Sequence, residues 1–331
     1  MHLHDIARGG IVPTAAARSL GLGPADLRAL CRSGELRRLV RGWYAVRAPG
    51  ADRPPWEGED SHASALALHR LTALALIRSF DGRVCASHQT ALVFHGVALW
   101  RSDLSLVHLA RTGDDHTRHR TGAVIHPACG VDAVEAASEF TVGERPLSVP
   151  PAVAVVQVGL RPFKGGQAFP LESLVAADSA LHLGLVTLDD LDASVALHEG
   201  HPGIRAVRQH LRHADGRNES VGETRLALAL RLLGYESEPQ VHRTVGATTY
   251  RVDRRITGTR VIVEFDGMVK YLPARPTEDD LARARRTLEA EKARQDQLTD
   301  DGDEFVRVRW HQLDDLPALD RRITGAIRRS G

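Results

Sequence analysis

Asp253, Glu264 and Asp266 carry the densest potential chemistry in this chain, with Lys270 close behind them in "RVIVEFDGMVKY", residues 260–271. Val261, Val263 and Phe265 alternate with Ile262, Glu264 and Asp266. A strand sends every second side chain to one face, so Glu264 and Asp266 share a face. "TTYRVDRRI" and "RVIVEFDG" flank "TGT", the layout of a β-hairpin. A two-residue Thr257-Gly258 loop pairs Val252 with Val263 and Tyr250 with Phe265, and gathers Arg251, Asp253, Glu264 and Asp266 on the opposite face. Carboxylates sharing a face repel each other and call for positive charge. A divalent cation is one source, since magnesium takes one or two carboxylates together with waters and phosphate oxygens. Arg251, Arg255 and Arg260 are another, giving a salt-bridged face without metal. Spacing alone leaves both open.

The elements that position these residues are legible in residues 216–331. Ser220 and Glu223 open "SVGETRLALALRLLGY" as a capping box, and the leucines make the helix apolar. After the hairpin come a long charged helix, "EDDLARARRTLEAEKARQDQLTDDG", a strand, "FVRVRW", and a closing helix, "LPALDRRITGAIRRS". The order α-β-β-α-β-α predicts a mixed sheet flanked by helices.

Residues 1–50 hold eight arginines against Asp5, Asp26 and Glu35. "VPTAAARSLG" and "GPADLRALCRSG" are bounded by proline and glycine as short helices. "GELRRLVRGWYAV" follows as a hairpin turning near Arg41-Gly42. Two helices and a basic hairpin predict a winged helix-turn-helix. In that fold Arg28 and Arg32 lie on the recognition helix and Arg37, Arg38 and Arg41 on the wing. Residues 51–60, with Pro54-Pro55, read as a linker.

Residues 61–215 read as an α+β connector domain. "SHASALALHRLTALALIRSF" is a helix, "SLVHLA" and "AVIHPA" are strands, and the run from Pro170 forms helices with a turn near Gly184. His88, His95, His108, His116, His119 and His126 show no metal-ligand spacing and read as scattered core or surface residues. Cys31, Cys85 and Cys129 are far apart and read as reduced, buried thiols of a cytosolic protein. No apolar run reaches the ~18 residues of a membrane span, and the first ten residues lack the apolar centre of a signal peptide. The chain has 331 residues, 43% of them hydrophobic, and a net charge of +1, so total charge is neutral on nucleic acid and only its distribution speaks.

Taken together, "VD…VIVEFDGMVKY" and "EKARQDQL…VRVRW" resemble the PD-(D/E)XK nuclease superfamily, in its branch similar to very-short-patch-repair endonucleases. The matching positions are Glu223, Asp253, Glu264 with Asp266-Gly267, and Arg294 with Asp296, over about 110 residues. The resemblance implies a DNA endonuclease dependent on Mg²⁺ or Mn²⁺, serving DNA repair or defence against foreign DNA. It implies Asp253 and Glu264 as metal ligands, Asp266 as a third, Glu223 positioning a metal-bound water, and Lys270 as electrostatic partner. One position departs from the pattern: the E-x-K triplet needs lysine at 266, and aspartate stands there. Lys270 falls where that branch often has histidine.

"GGIVPTAAARSLG" and "GELRRLVRGWYAV" resemble the winged-helix domain of AbiEi-type antitoxins from type IV toxin–antitoxin systems. "SHQTALVFHG" resembles the connector of actinobacterial proteins of this build. These likenesses imply the alternative: a DNA-binding transcriptional repressor or antitoxin, with a cognate toxin as partner and an inactive nuclease fold. The expected class is α/β, comprising a winged helix-turn-helix, an α+β middle domain and a PD-(D/E)XK-like mixed sheet. The expected partner is DNA, without membrane, in the cytoplasm at the nucleoid.

Overall fold

Pro24 at the first turn and Gly34 after the last set the ends of a nine-residue helix, Pro24–Arg32, and the same local punctuation orders much of the chain. The computed structural model describes residues 2–113, 118–120, 122–136, 147–160, 170–267 and 278–330. It is a mixed α/β protein with several sheets, divided into two compact units, Met1–Ala214 and Asp215–Gly331.

The first unit opens with α1 (Leu3–Ile6), β1 (Ile11–Pro13), α2 (Thr14–Ser19), α3 (Pro24–Arg32), β2 (Leu36–Val40) and β3 (Trp43–Val46). The strands form a sheet ordered β1-β3-β2. Gly42 takes the left-handed conformation in the β2–β3 turn, where a side chain would be strained. Val12, Ala17, Leu27, Leu36 and Val46 make the small core beneath these elements. The segment read as a linker carries Trp56, which is buried with Ile11, Ala45, Leu71, Leu74 and Ala75. That burial fastens residues 1–50 to the next helix.

The rest of this unit is α4 (Ser61–Ser79), β4 (Val84–Ala86), α5 (His88–His95), β5 (Val107–Arg111), β6 (Arg118–Arg120), β7 (Ala123–His126), β8 (Val134–Glu135), β9 (Leu147–Ser148), α6 (Pro151–Leu160), α7 (Pro170–His182), α8 (Leu188–Leu197) and α9 (Ile204–Leu211). Its sheet runs β6-β7-β5-β4-β9-β8. The strands expected at "SLVHLA" and "AVIHPA" are β5 and β7, and Gly184 turns between α7 and α8 with φ of 67°. Among the described residues, no helix is long and apolar enough to cross a membrane. Cys85 is buried, and Cys31 and Cys129 are half-buried. Burial pushes the Cys85 thiol up to about 12, so it stays protonated at neutral pH.

The second unit contains α10 (Val221–Leu232), β10 (Ser237–Val245), β11 (Thr248–Ile256), β12 (Val261–Phe265), α11 (Glu278–Asp300), β13 (Glu304–Val308), a 3-10 turn (Trp310–Asp314) and α12 (Leu316–Ser330). The sheet order is β10-β11-β12-β13; β12 and β13 are parallel and the other pairs antiparallel. Parallel neighbours need a crossover, and α11 supplies it. β10 was not anticipated: Pro239 and its charged neighbours suit an edge strand, not a central one.

The expected hairpin register is corrected by the structure. Arg254 pairs with Val263 and Arg255 with Ile262, so four residues, Thr257 to Arg260, span the turn. Val252 and Val263 do not pair; they enter different cores. Ile256, Val261 and Val263 pack with Leu226, Leu230, Leu319 and Ile323, while Val252 and Ile262 pack with Leu298. Helices on both faces make both faces apolar, so alternation along β12 could not fix the register.

Candidate active site and nucleic-acid interface

Asp253 and Glu264 come together, although by a different pairing from the one expected. The observed register sets Asp253 across from Glu264, and the Phe265 N–H donates to Asp253 Oδ2 at 2.9 Å. Beside it the β10–β11 ladder passes from Pro239–Arg254 to Val241–Val252 over Gln240, whose φ is 53°. Gln240 Nε2 donates to Glu223 Oε2 at 2.8 Å.

Glu223 arrives with α10. Ser220 caps that helix by accepting the Glu223 N–H at 3.2 Å, and the Glu223 carboxylate accepts the Ser220 hydroxyl at 2.8 Å and the Glu219 N–H at 3.1 Å. The helix start is pressed onto β12: a Cβ built on Gly222 would overlap the Phe265 ring. Glycine therefore permits the approach that brings Glu223 to the strand carboxylates.

Arg294 arrives from the other face. Leu298 is fully buried with Val252 and Ile262 and anchors α11. Arg294, four residues earlier, lies on the same side of the helix. Its Nη2 donates to Glu264 Oε1 at 2.7 Å, and its Nη1 donates to the Arg251 carbonyl at 3.3 Å. Arg307 Nε is 3.9 Å from Glu264 Oε2. Glu264 is thus a buried carboxylate held by guanidinium groups.

Asp253 is held differently. Burial pushes its carboxyl up to about 6; the Phe265 N–H opposes this, Glu223 and Glu264 add to it, and Arg294 lowers it. Acids from α10 and β12 therefore act on Asp253 of β11, where burial is the first cost to the charge and repulsion by Glu223 and Glu264 adds to it.

Asp266 follows a different course. Its N–H donates to the Val308 carbonyl at 2.9 Å, and its Oδ2 lies 3.3 Å from Arg309 Nε. Asp296 is exposed. Lys270 lies outside the described residues. Arg251 pairs with Glu219 at 2.7 Å, Arg255 lies 3.7 Å from Glu238, and Arg260 sits beside Asp301 and Asp303. Arg294 and Arg307 meet Glu264, and they come from elements distant in sequence.

In the head, Arg28, Arg32, Arg37, Arg38 and Arg41 are all exposed. Arg28 and Arg32 are one turn apart on α3, Arg37 and Arg38 are on the edge strand β2, and Arg41 is in the turn beside Gly42.

Histidine is where the sequence reading is corrected. His95 is a core residue bonded to Ser148 Oγ at 2.7 Å, as expected, and His116 lies outside the described residues. His88, His108 and His126 are not scattered: one nitrogen from each lies within 4.8 Å of the others. Among the described residues, this is the group of three or more metal-ligating side chains at that spacing; the carboxylates of the second unit do not form one. The three histidines are 20 and 18 positions apart, so no local motif marks them.

No family model matches this chain, and no curated protein matches it. Among solved structures, the crystal structure of the RV2827C protein from Mycobacterium tuberculosis is similar with a TM-score of 0.35 and 16% identity, covering 66% of this chain and 75% of that one.

Proposed function

We propose that this chain is a metal-dependent DNA endonuclease whose basic head brings it to DNA. The observation that carries the reading is the meeting of Glu223, Asp253, Glu264 and Arg294, contributed by four separate elements, around a carboxyl pushed up to about 6. A carboxyl perturbed by burial and by specific neighbouring charges makes its surroundings a candidate functional site. The element order α10-β10-β11-β12-α11-β13 supports the PD-(D/E)XK resemblance, because Glu223 and Arg294 sit on helices and Asp253 and Glu264 on strands, as that resemblance implies.

The donor set fits a hard divalent cation: oxygen ligands only, mutually repelling, beside a carboxyl that burial and neighbouring acids oppose ionising. Asp253 and Glu264 would hold Mg²⁺ or Mn²⁺. Such an ion supplies a water activated for attack on phosphorus and neutralises charge on the phosphate. Glu223, already aligned by Ser220, Glu219 and Gln240, orients a water at the edge of the site. Arg294 sets the rotamer of Glu264 and offers positive charge toward a phosphodiester. Asp266, turned to Arg309, is assigned to holding the end of β12 in place of ligation.

A second reading is a transcriptional repressor or antitoxin of a type IV toxin–antitoxin system, with the nuclease fold kept as a scaffold. The pairing of Glu264 with Arg294 and Arg307 favours it, because it already neutralises one of the proposed ligands. In both readings α3 enters the major groove and the β2–β3 turn lies on phosphate.

Supercoiled plasmid incubated with the full chain and Mg²⁺, Mn²⁺ or EDTA separates the two. The endonuclease reading requires nicking or linearisation that EDTA stops and that Asp253→Asn and Glu264→Gln abolish. DNA binding without cleavage of duplex, single-stranded or mismatched DNA would support the repressor.

A further inference from the structure

We infer that His88, His108 and His126 form a binding site for one divalent transition-metal ion of the Zn²⁺ class, independent of the carboxylates of the second unit. Three adjacent strands build it. β5 carries His108, its parallel neighbour β7 ends with His126, and its antiparallel neighbour β4 runs directly into His88, the first residue of α5. The Ser87 N–H donates to the His108 carbonyl at 3.1 Å, which registers the start of α5 against β5. His108 pairs with Val124 and Ala110 with His126, so the two strand histidines are diagonal neighbours on one face.

The local geometry suits ligation. The three ligating nitrogens are within 4.8 Å of one another, and His108 Nδ1 lies 2.8 Å from His126 Nε2. Ring centroids are 4.0 Å apart for His88–His126 and 5.0 Å for His108–His126. His88 adopts φ of 51°, a strained conformation for a side-chain-bearing residue, and its N–H is fixed by Gln157 Oε1 at 3.1 Å. His88 Nδ1 is 3.1 Å from Ser87 Oγ. A hydroxyl at one ring nitrogen directs the other toward a metal, the usual outer support of a ligating histidine. His69, by contrast, spends both ring nitrogens on Leu104 O and Thr90 Oγ1 and is a packed core residue.

The donor chemistry selects the ion. An all-imidazole set suits Zn²⁺, Co²⁺, Ni²⁺, Cu²⁺ or Fe²⁺ and disfavours Mg²⁺ and Ca²⁺, which want oxygen. Zn–N bonds of about 2.0–2.1 Å in a tetrahedron place ligand nitrogens roughly 3.3 Å apart. The His108–His126 contact therefore has to open by about half an ångström, a small ring rotation. The proton in that contact leaves it as the cation enters and shifts to the other nitrogen of its ring. Three protein ligands leave a fourth position for water or another donor. His88 and His108 are buried and His126 is half-buried, so His126 is the side from which an ion enters.

The test uses the full chain without an affinity tag, stripped with a chelator and titrated with Co²⁺, then Zn²⁺. One equivalent of Co²⁺ should give ligand-field absorption between roughly 500 and 650 nm, displaced by Zn²⁺ and unaffected by millimolar Mg²⁺. His126→Gln and His88→Gln should each weaken uptake by about 100-fold or more while keeping the far-ultraviolet circular dichroism of the parent. His126 is half-buried and tolerates the change, so that variant decides the matter even if His88→Gln fails to fold. With uptake read as that absorption, the stacked pair His2 and His4, ring centroids 5.5 Å apart, is the control: a His2→Gln/His4→Gln double variant should bind Co²⁺ as the parent does. Absence of uptake by the parent, undiminished uptake by His126→Gln, or loss of uptake in the His2/His4 variant would each overturn the assignment. Because plasmid cleavage is not the readout, failure here leaves the endonuclease reading untouched, and the reverse also holds.

Discussion

Asp253→Asn should make this protein more stable at neutral pH, because the native fold penalises the charge that it removes. The Asp253 carboxyl moves from an ordinary 3.8 to about 6, with burial as the first cause and the Glu223 and Glu264 charges adding to it. A rise of about two units corresponds to roughly 3 kcal/mol, taken as an upper bound because the site can relax. The sign follows from proton binding. Between pH 3.8 and about 6 the folded protein keeps a proton that the unfolded chain has lost. The stabilisation from this residue is therefore complete below about pH 4, declines as pH rises, and is gone above about pH 6. Asparagine escapes that decline and its amide oxygen can still accept the Phe265 N–H, so the variant should gain about 1–3 kcal/mol at pH 7.5 and almost nothing at pH 4. Urea unfolding of the full chain at several pH values measures this. Trp310 reports on the second unit, and a Trp310→Phe control gives the signal of the other tryptophans, to be subtracted. With Mn²⁺ at ten times its Kd, the parent should recover about 1.4 kcal/mol and the variant should not. A variant less stable than the parent at pH 7.5, or a gap of equal size at pH 4 and pH 7.5, would refute the claim that Asp253 is held at an energetic cost.

Three further outcomes are expected. Arg294→Met takes from the buried Glu264 carboxylate its 2.7 Å guanidinium partner, which should cost about 3 kcal/mol by urea unfolding; adding Glu264→Gln should return part of the loss. Gly222→Ala forces a methyl group into the Phe265 ring and should cost about 1–3 kcal/mol, with Phe265→Leu in the same chain relieving it; an unchanged midpoint would mean that α10 stands off from β12. Arg37→Ala with Arg41→Ala should weaken DNA binding for all sequences and flatten the log Kd against log salt line by up to about 1.8, while Arg28→Ala or Arg32→Ala should relax preference at one base pair by about 1–3 kcal/mol, both read by fluorescence anisotropy.

The sequence by itself determined the elements whose signals are local. Ser220 and Glu223 marked the start of α10, Arg41-Gly42 the turn between β2 and β3, and "LPALDRRITGAIRRS" the whole of α12, because caps, turns and amphipathic spacing act over a few residues. It also brought Asp253 to Glu264, but through a pairing two residues away from the real one. Both faces of β12 are apolar, so the register was decided by which core Val252 and Val263 enter, one under α11 and the other under α10 and α12. Only the tertiary structure could supply Arg294 to Glu264, since a parallel crossover carries α11 back over the strand that precedes it. The same limit hid the histidines. His88, His108 and His126 are separated by whole elements, and nothing in their spacing joins them. The pairing of β4 and β7 on either side of β5 brings their rings together, and strand pairing is a long-range choice made by burial of the sheet.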